Sequence, residues 1–230
     1  MTRSHARFFA GLLVIPAAVV LIGARWTGVA RSAPPPAPLP EQILEVGFAP
    51  APGLDTAYFA GGCFWGIEGV FEHVKGVKSA VSGYSGGTTV SPSYDQVTSG
   101  ETGHAEAVQV IFDPGQISYA QLLHVFFSVA HDPTQLNRQG PDRGTHYRSA
   151  IFFNSADQEQ AVQRYIAQLT AAKFFPKPIV TQVVKLKAFY PAEEYHQDYM
   201  VKNPNQPYIV IHDAPKVAAL KKHFATLYKD

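Results

Sequence analysis

The sequence predicts an α/β fold, an α+β sandwich in which helices flank a mixed β-sheet. Two observations support this prediction. Segments rich in β-branched residues alternate along the chain with segments whose apolar residues recur at helical spacing. The 230 residues, 46% of them hydrophobic and 16% charged, are enough for one substantial core, and no internal repeat is evident. We expect one folded domain at residues 55–230.

The first half of this domain predicts strands and helices in alternation. Thr56–Ala60 and Val77–Tyr84 have strand character, and Cys63–Phe71 lies between them as a helix. Residues 106–112 read Glu-Ala-Val-Gln-Val-Ile-Phe and lead into the turn sequence Asp-Pro-Gly, which predicts a further strand. Tyr119–Val129 has leucines and phenylalanines at helical spacing and is the second predicted helix.

The second half begins with a long loop at residues 131–147, where prolines and glycines interrupt any periodicity. Ser155 is a predicted helix cap, because Gln158 follows three residues later. The same patterns predict the remaining elements, which are a strand at 150–153, a helix at 155–171, a strand at 180–186, a short helical segment at 192–200 and a carboxy-terminal helix after Pro215.

The first forty residues differ in composition from the rest. A basic start precedes an apolar stretch at 8–23, and a proline-rich segment follows at 34–40. This order is typical of an export signal, so we interpret residues 1–33 as a signal peptide or membrane anchor and residues 34–54 as a semi-rigid linker. We expect an exported, periplasmic protein that is either free or tethered to the membrane by an uncleaved amino-terminal segment.

The charge pattern excludes some partners. A formal net charge of +1, without a sustained basic run, argues against nucleic acid. The histidines are scattered and accompany a single cysteine, so a metal site is not expected either. We expect the protein to act as a monomer.

The one cysteine in the chain, Cys63, is the main candidate for chemistry. It lies in the sequence Gly-Gly-Cys-Phe-Trp-Gly at 61–66, where Gly62 allows a tight turn ahead of the predicted helix. Peptide N–H groups at a helix start stabilise a thiolate, so the expected pKa of Cys63 is lower than that of a free thiol. The alternative is a buried structural cysteine.

Other side chains suit a site around this thiol. Glu106 starts an apolar strand, where burial would raise the pKa of its carboxyl group and make it a general acid, although a solvated glutamate at a strand end is the alternative. The hydroxyls of Tyr84 and Tyr147 could donate to a developing oxyanion. Phe64 and Trp65 could form an apolar wall, although core packing would explain all four aromatic residues equally well.

A second kind of enzyme is also compatible with these residues. A cysteine hydrolase or acyl transferase pairs its thiol with a histidine that is distant in sequence. His104, His131 and His196 are the candidate bases.

Four ordered motifs identify a resemblance, which covers about residues 58–207. They are Gly-Cys-Phe-Trp-Gly at 62–66, Gly-Tyr-Ser-Gly-Gly at 83–87, Gly-His-Ala-Glu at 103–106 and Asp-Arg-Gly-Thr-His-Tyr-Arg-Ser at 142–149. Shorter matches add His-Asp-Pro-Thr at 131–134 and Tyr-His-Gln at 195–197. With these motifs the chain resembles the A-type peptide methionine sulfoxide reductases.

The resemblance implies a ferredoxin-like α-β plait and reduction of the S epimer of methionine sulfoxide, either free or in oxidised proteins. It also implies a role for each candidate residue. These are Cys63 as nucleophile, Glu106 as proton donor, Tyr84 and Tyr147 as hydrogen-bond donors to the oxygen, Asp142 as organiser of the polar side, Phe64 and Trp65 as the methyl pocket, and Gly62 and His196 as further substrate-binding residues.

The chain departs from many members of this family in one respect. Those members have resolving cysteines near the carboxy terminus, whereas residues 203–230 contain none. A sulfenic acid formed on Cys63 would therefore have to be reduced by an external thiol, which could be a thioredoxin-like protein, a glutaredoxin-like protein or a small thiol. No bound cofactor is expected. A non-catalytic binder of oxidised methionine is the remaining alternative.

Overall fold

The computed structural model describes residues 53–230, which contain a six-stranded mixed sheet and a short two-stranded ribbon. The strands are β1 Asp55–Ala60, β2 Val77–Ser85, β3 Ala105–Phe112, β4 Arg138–Gln139, β5 Asp142–Arg143, β6 Ala150–Phe153, β7 Gln182–Lys185 and β8 Phe189–Pro191. The helices are α1 Phe64–Glu72, α2 Tyr94–Thr98, α3 Tyr119–Val125, α4 Ala156–Ala171, α5 Tyr199–Lys202 and α6 Ala214–His223.

The main sheet has the strand order β7-β6-β1-β3-β2-β8. Its four central strands, in the order β6-β1-β3-β2, are antiparallel. They come from two units, β1-α1-β2 and β3-α3-β6. Strand β3 lies between the two strands of the first unit, and β1 lies between the two strands of the second. This is the ferredoxin-like arrangement, so the predicted fold class is confirmed. Strand β7 is added in parallel to β6 after α4, and β8 pairs with the other edge, which makes the sheet mixed.

The register of the sheet decides which side chains face the helices. Phe59 of β1 pairs with Val108 of β3, and both belong to the large core that the helices cover. Because side chains alternate along a strand, Glu106 points to the same face as Val108. Tyr84 lies directly opposite Glu106 on β2 and shares that face. The sheet therefore directs a carboxyl group into the apolar layer beneath α1.

Most predicted elements are present, with shifted ends. Ser155 caps α4 by accepting a hydrogen bond from the backbone N–H of Gln158, as predicted. The predicted helix Tyr119–Val129 is α3 followed by a π-helical turn at Phe126–Ala130. The short helical segment at 192–200 is instead a 3₁₀ turn at Glu194–His196 and the start of α5. Helix α2 and strand β8 were not predicted.

The predicted signal or anchor at 1–33 lies outside the described residues, as does the linker at 34–54 except for its last two positions. In the part of the chain from 53 to 230, no helix combines the length and apolar character needed to cross a membrane.

Candidate active site

The backbone around Cys63 holds the thiol at the amino-terminal end of α1. Cys63 is the residue that precedes the helix, with φ −54° and ψ 124°. Gly62 before it has φ +99°, and a Cβ at this position would lie 2.6 Å from the side chain of Gln139. Both facts require glycine at position 62. Gly62 therefore shapes the turn that presents the cysteine.

The electrostatic surroundings of Cys63 differ from the sequence expectation. Burial raises the pKa of the thiol well above its usual value, and the carboxyl groups of Glu106 and Asp213 raise it further. The backbone N–H of Trp65 and the ammonium group of Lys216 lower the pKa but do not compensate. The prediction of a lowered pKa is wrong, because the helix start does favour the thiolate but loss of solvent has a larger effect.

Glu106 lies on β3 and is 1% exposed. Its Oε2 accepts a hydrogen bond of 3.0 Å from the backbone N–H of Phe64, next to the cysteine. Burial is the main cause that raises the pKa of this carboxyl group to about 8, with smaller contributions from Asp142 and Asp213. Glu106 is thus mainly protonated at neutral pH, beside the thiol, in the form that can donate a proton.

Aromatic rings form the apolar side of the site. The ring of Trp65 stacks on Tyr199 with a centroid distance of 3.7 Å, and its Nε1–H donates to Nδ1 of His196 at 3.1 Å. Phe64 packs against the ring of His196 with a centroid distance of 5.0 Å. Tyr208 contacts Trp65 edge to face at 6.1 Å. The rings fix the orientation of Phe64 and Trp65 beside the thiol.

The histidines near the site are not placed to act as bases. His131 is buried, and burial lowers its pKa to about 4. Its two ring nitrogens lie 3.1 Å from the backbone carbonyl of Phe126 and 2.8 Å from the Ser149 hydroxyl. Both ring nitrogens of His104 have backbone partners. Nδ1 of His196 accepts the Trp65 hydrogen bond, and burial lowers its pKa. This geometry does not favour the hydrolase alternative.

The structure corrects the expected role of Tyr84. Its side chain is buried, and its hydroxyl donates a hydrogen bond of 2.8 Å to Oε2 of Glu193. The proton of this hydroxyl is therefore committed to a carboxylate. Oε1 of the same glutamate accepts the backbone N–H of Tyr94, also at 2.8 Å. Tyr84 thus supports the segment that carries Tyr94.

Tyr94 is the residue that the sequence analysis missed. Burial raises the pKa of its hydroxyl to about 12, and the next two causes are the charges of Glu106 and Cys63. Glu106 and Cys63 also raise the pKa of the Tyr147 hydroxyl. A signal was present in the sequence, because Ser93 and Gln96 form a capping box that places Tyr94 in the first turn of a helix. That pattern predicts the helix but not that the Tyr94 hydroxyl interacts electrostatically with Glu106 and Cys63.

Asp142 is half-buried and accepts a hydrogen bond from the hydroxyl of Tyr208. Burial raises the pKa of its carboxyl group, whereas the Tyr208 hydroxyl and the ammonium group of Lys216 lower it. Asp142 also raises the pKa of the Glu106 carboxyl group, so it lies on the polar side of the site. Within residues 53–230, no group of three or more histidine, cysteine or acidic side chains is arranged to hold a metal ion.

The site defines the class of protein first. A buried carboxyl group with a raised pKa near the single cysteine fits an enzyme of thiol redox chemistry better than a hydrolase that needs a histidine base. The family model of peptide methionine sulfoxide reductase matches residues 55–228. The chain belongs to this family and is an oxidoreductase that reduces methionine sulfoxide to methionine.

Individual relatives agree with this assignment. Peptide methionine sulfoxide reductase MsrA 2 of Mesorhizobium japonicum is 58% identical over 180 residues, which are 78% of this chain and 92% of the relative. Methionine sulfoxide reductase A of Corynebacterium diphtheriae is 37% identical with a TM-score of 0.59, over 76% of this chain and 88% of that one. Reduced Mxr1 of Saccharomyces cerevisiae is 34% identical with a TM-score of 0.61, over 69% and 91% of the two chains.

Proposed function

We propose that the enzyme reduces the S epimer of methionine sulfoxide by attack of the Cys63 sulfur on the sulfoxide sulfur. The sulfoxide oxygen receives a proton from Glu106 and is transferred to the cysteine, and methionine leaves. Cys63 is thereby oxidised to a sulfenic acid, and the substrate is reduced. The observation that carries this proposal is the buried Glu106 carboxyl group, whose Oε2 accepts the backbone N–H of Phe64 next to the cysteine at 3.0 Å.

The other site residues divide between the two ends of the substrate. Phe64 and Trp65 would hold the methyl group, supported by the ring of His196, because a dry aromatic wall orients an apolar group. Tyr94 and Tyr147 would donate hydrogen bonds to the oxygen, since the hydroxyls of both interact electrostatically with Glu106 and Cys63. Asp142 would organise this polar side.

Recycling would require two external thiols. The first attacks the sulfur of the sulfenic acid, which forms a mixed disulfide with Cys63 and releases water. The second attacks that disulfide, restores the Cys63 thiol and leaves as the oxidised disulfide. The absence of a second cysteine in the 230-residue chain supports this route. The reductant would be a thioredoxin-like or glutaredoxin-like protein or a small thiol.

The amino-terminal composition supports an exported enzyme. In this proposal, residues 1–33 direct export or anchor the protein, and residues 55–230 form the catalytic domain. Residues 34–54 link these two parts. Oxidised proteins of the cell envelope, as well as free methionine sulfoxide, would be the substrates. The enzyme would act as a monomer.

A single turnover tests the mechanism. We expect the full-length chain, incubated with methionine-S-sulfoxide and no reductant, to form close to one methionine per protein and to gain the mass of one oxygen. A dimedone-type trap should then modify Cys63. The R epimer is the control and should give no product. No methionine and an unmodified Cys63 would contradict the proposal.

Two tyrosine variants test the oxygen-binding assignment. Tyr94→Phe should slow single-turnover reduction by about 10²-fold, the typical cost of removing one preorganised donor to a developing oxyanion. Tyr84→Phe should stay close to the wild-type rate, since its hydroxyl is bound to Glu193. Each change removes only a hydroxyl, so the two variants are matched. The opposite order would show that Tyr84 is the donor, and equal rates would contradict the assignment to Tyr94 alone.

A further inference from the structure

The carboxy-terminal segment places a buried ion pair next to the helix that starts at Cys63. Nζ of Lys216 donates to Oδ1 of Asp213 at 3.0 Å. The Asp213 side chain is completely buried, and that of Lys216 is 17% exposed. The two residues stand at the start of α6, Asp213 directly before it and Lys216 in its first turn. Such a pair is too deeply buried to be a surface contact of little effect.

The position of Gly66 shows how close the pair comes to α1. A Cβ on Gly66 would lie 2.7 Å from Nζ of Lys216 and would overlap Oδ1 of Asp213. Gly66 is the third residue of α1, and the backbone N–H of its neighbour Trp65, the second residue, is the one that favours the Cys63 thiolate. The ion pair and the Cys63 thiol therefore meet at the same first turn.

The second carboxylate oxygen of Asp213 has a special position. Oδ2 is buried and has no hydrogen-bond partner among the described residues. An unpaired buried carboxylate oxygen is costly, so a reason for retaining it is needed. The charge of Asp213 raises the pKa of the neighbouring Cys63 thiol and also that of Glu106.

The charged and titratable groups that face Cys63 come from several elements. Glu106 of β3 and Asp213 disfavour the thiolate, and Lys216 favours it. The hydroxyls of Tyr94, Tyr147 and Tyr208 complete the polar surroundings. Because burial raises the pKa of Glu106 to about 8, this carboxyl group carries little negative charge at neutral pH, and the Asp213–Lys216 ion pair is the other charged feature beside the thiol.

We propose that the Asp213–Lys216 pair sets the reactivity of Cys63, with Lys216 as a positioning residue that offsets the negative charge beside the thiol. Asp213 holds Lys216 at the first turn of α1 and moderates its effect. The inference rests on the proposed role of Cys63 as nucleophile.

The pair would act in both halves of the cycle. A higher thiolate fraction speeds attack on the sulfoxide. In the release of the mixed disulfide, Cys63 is the leaving group, and a thiol of lower pKa leaves faster. Since this chain has no second cysteine, every turnover passes through that release by an external thiol. A cation fixed beside Cys63 would therefore benefit both steps.

Alkylation of Cys63 by iodoacetamide, measured against pH without substrate, tests the proposal. Lys216→Gln should slow alkylation by about tenfold at pH 8, because an opposite charge nearby shifts a pKa by about one unit or more. Asp213→Asn should accelerate it by a similar factor, since Lys216 is then unopposed. Lys216→Arg keeps the charge and should fall between Lys216→Gln and the wild type. Lys222→Gln, an exposed lysine on the same helix, is the control and should change nothing.

The opposite signs distinguish this role from structural support. A pair that merely holds the fold would change the alkylation profile in the same direction in both variants, or not at all, and either result would overturn the proposal. Should Lys216→Gln fail to fold, Asp213→Asn alone decides, because acceleration supports the proposal and slowing or no change contradicts it. The measurement needs no sulfoxide, so it stays informative even where the single turnover yields no methionine.

Discussion

Cys63→Ser is expected to form no methionine above the uncatalysed background in the single-turnover assay. The hydroxyl has the geometry of the thiol but is a far weaker nucleophile, and it cannot accept oxygen as a sulfenic acid. The aromatic wall of Phe64 and Trp65 does not depend on the sulfur, so binding of methionine sulfoxide should persist. Product formation by chromatography and ligand binding by calorimetry measure the two effects separately.

This separation also addresses the non-catalytic alternative. A protein that only binds oxidised methionine would behave alike with cysteine or serine at position 63, in both assays. Retained methionine formation in Cys63→Ser would show that another group performs the reduction.

Glu106→Gln is expected to slow the reduction by about 10²–10⁴-fold, the usual contribution of a general acid. The amide can still accept the backbone N–H of Phe64 but cannot protonate the oxygen. Rapid-quench measurement of methionine at pH 7 gives the rate. Glu101→Gln, the same change at an exposed position, should leave it unchanged. An unaltered rate in Glu106→Gln would show that the proton comes from elsewhere.

The same variant should be more stable than the wild type. The pKa of Glu106 is raised from its reference of 4.5 to about 8, so the unfolded chain releases this proton at a lower pH than the folded chain does. The contribution of Glu106 to the free energy of unfolding is fully present below about pH 4.5 and is lost as the pH rises to about 8. Glutamine removes this loss.

Thermal unfolding of the two proteins between pH 5 and pH 8 measures the difference. We expect the melting temperature of Glu106→Gln to exceed that of the wild type by about 2–4 °C or more at pH 8, which corresponds to about 1 kcal/mol. The gain should be smaller at pH 5. A constant difference across this range would mean that Glu106 is ionised in the folded protein at all these values. In the proposed mechanism, Glu106 is thus a catalytic group that is maintained at the expense of stability.

Local patterns in the sequence determined most of the secondary structure. Alternating and β-branched segments marked the strands of the ferredoxin-like unit, and Ser155 with Gln158 marked the start of α4. Such patterns work because strand and helix periodicities and caps are set by neighbours in the chain. Strand β8, three residues long, was missed, since its pairing with β2 depends on a partner about a hundred residues away.

The sequence alone also determined the chemistry that is possible. A single cysteine among 230 residues excludes an internal disulfide, and its motif, together with three others, identified the family. The tertiary structure decided how that chemistry is arranged. It bound the Tyr84 hydroxyl to Glu193, reversed the expected shift of the thiol pKa, and brought Asp213 and Lys216 to the first turn of the helix that follows Cys63. The physical reason is that burial and charge act through space, so Asp213 affects the pKa of Cys63 although the two residues are 150 positions apart in the chain.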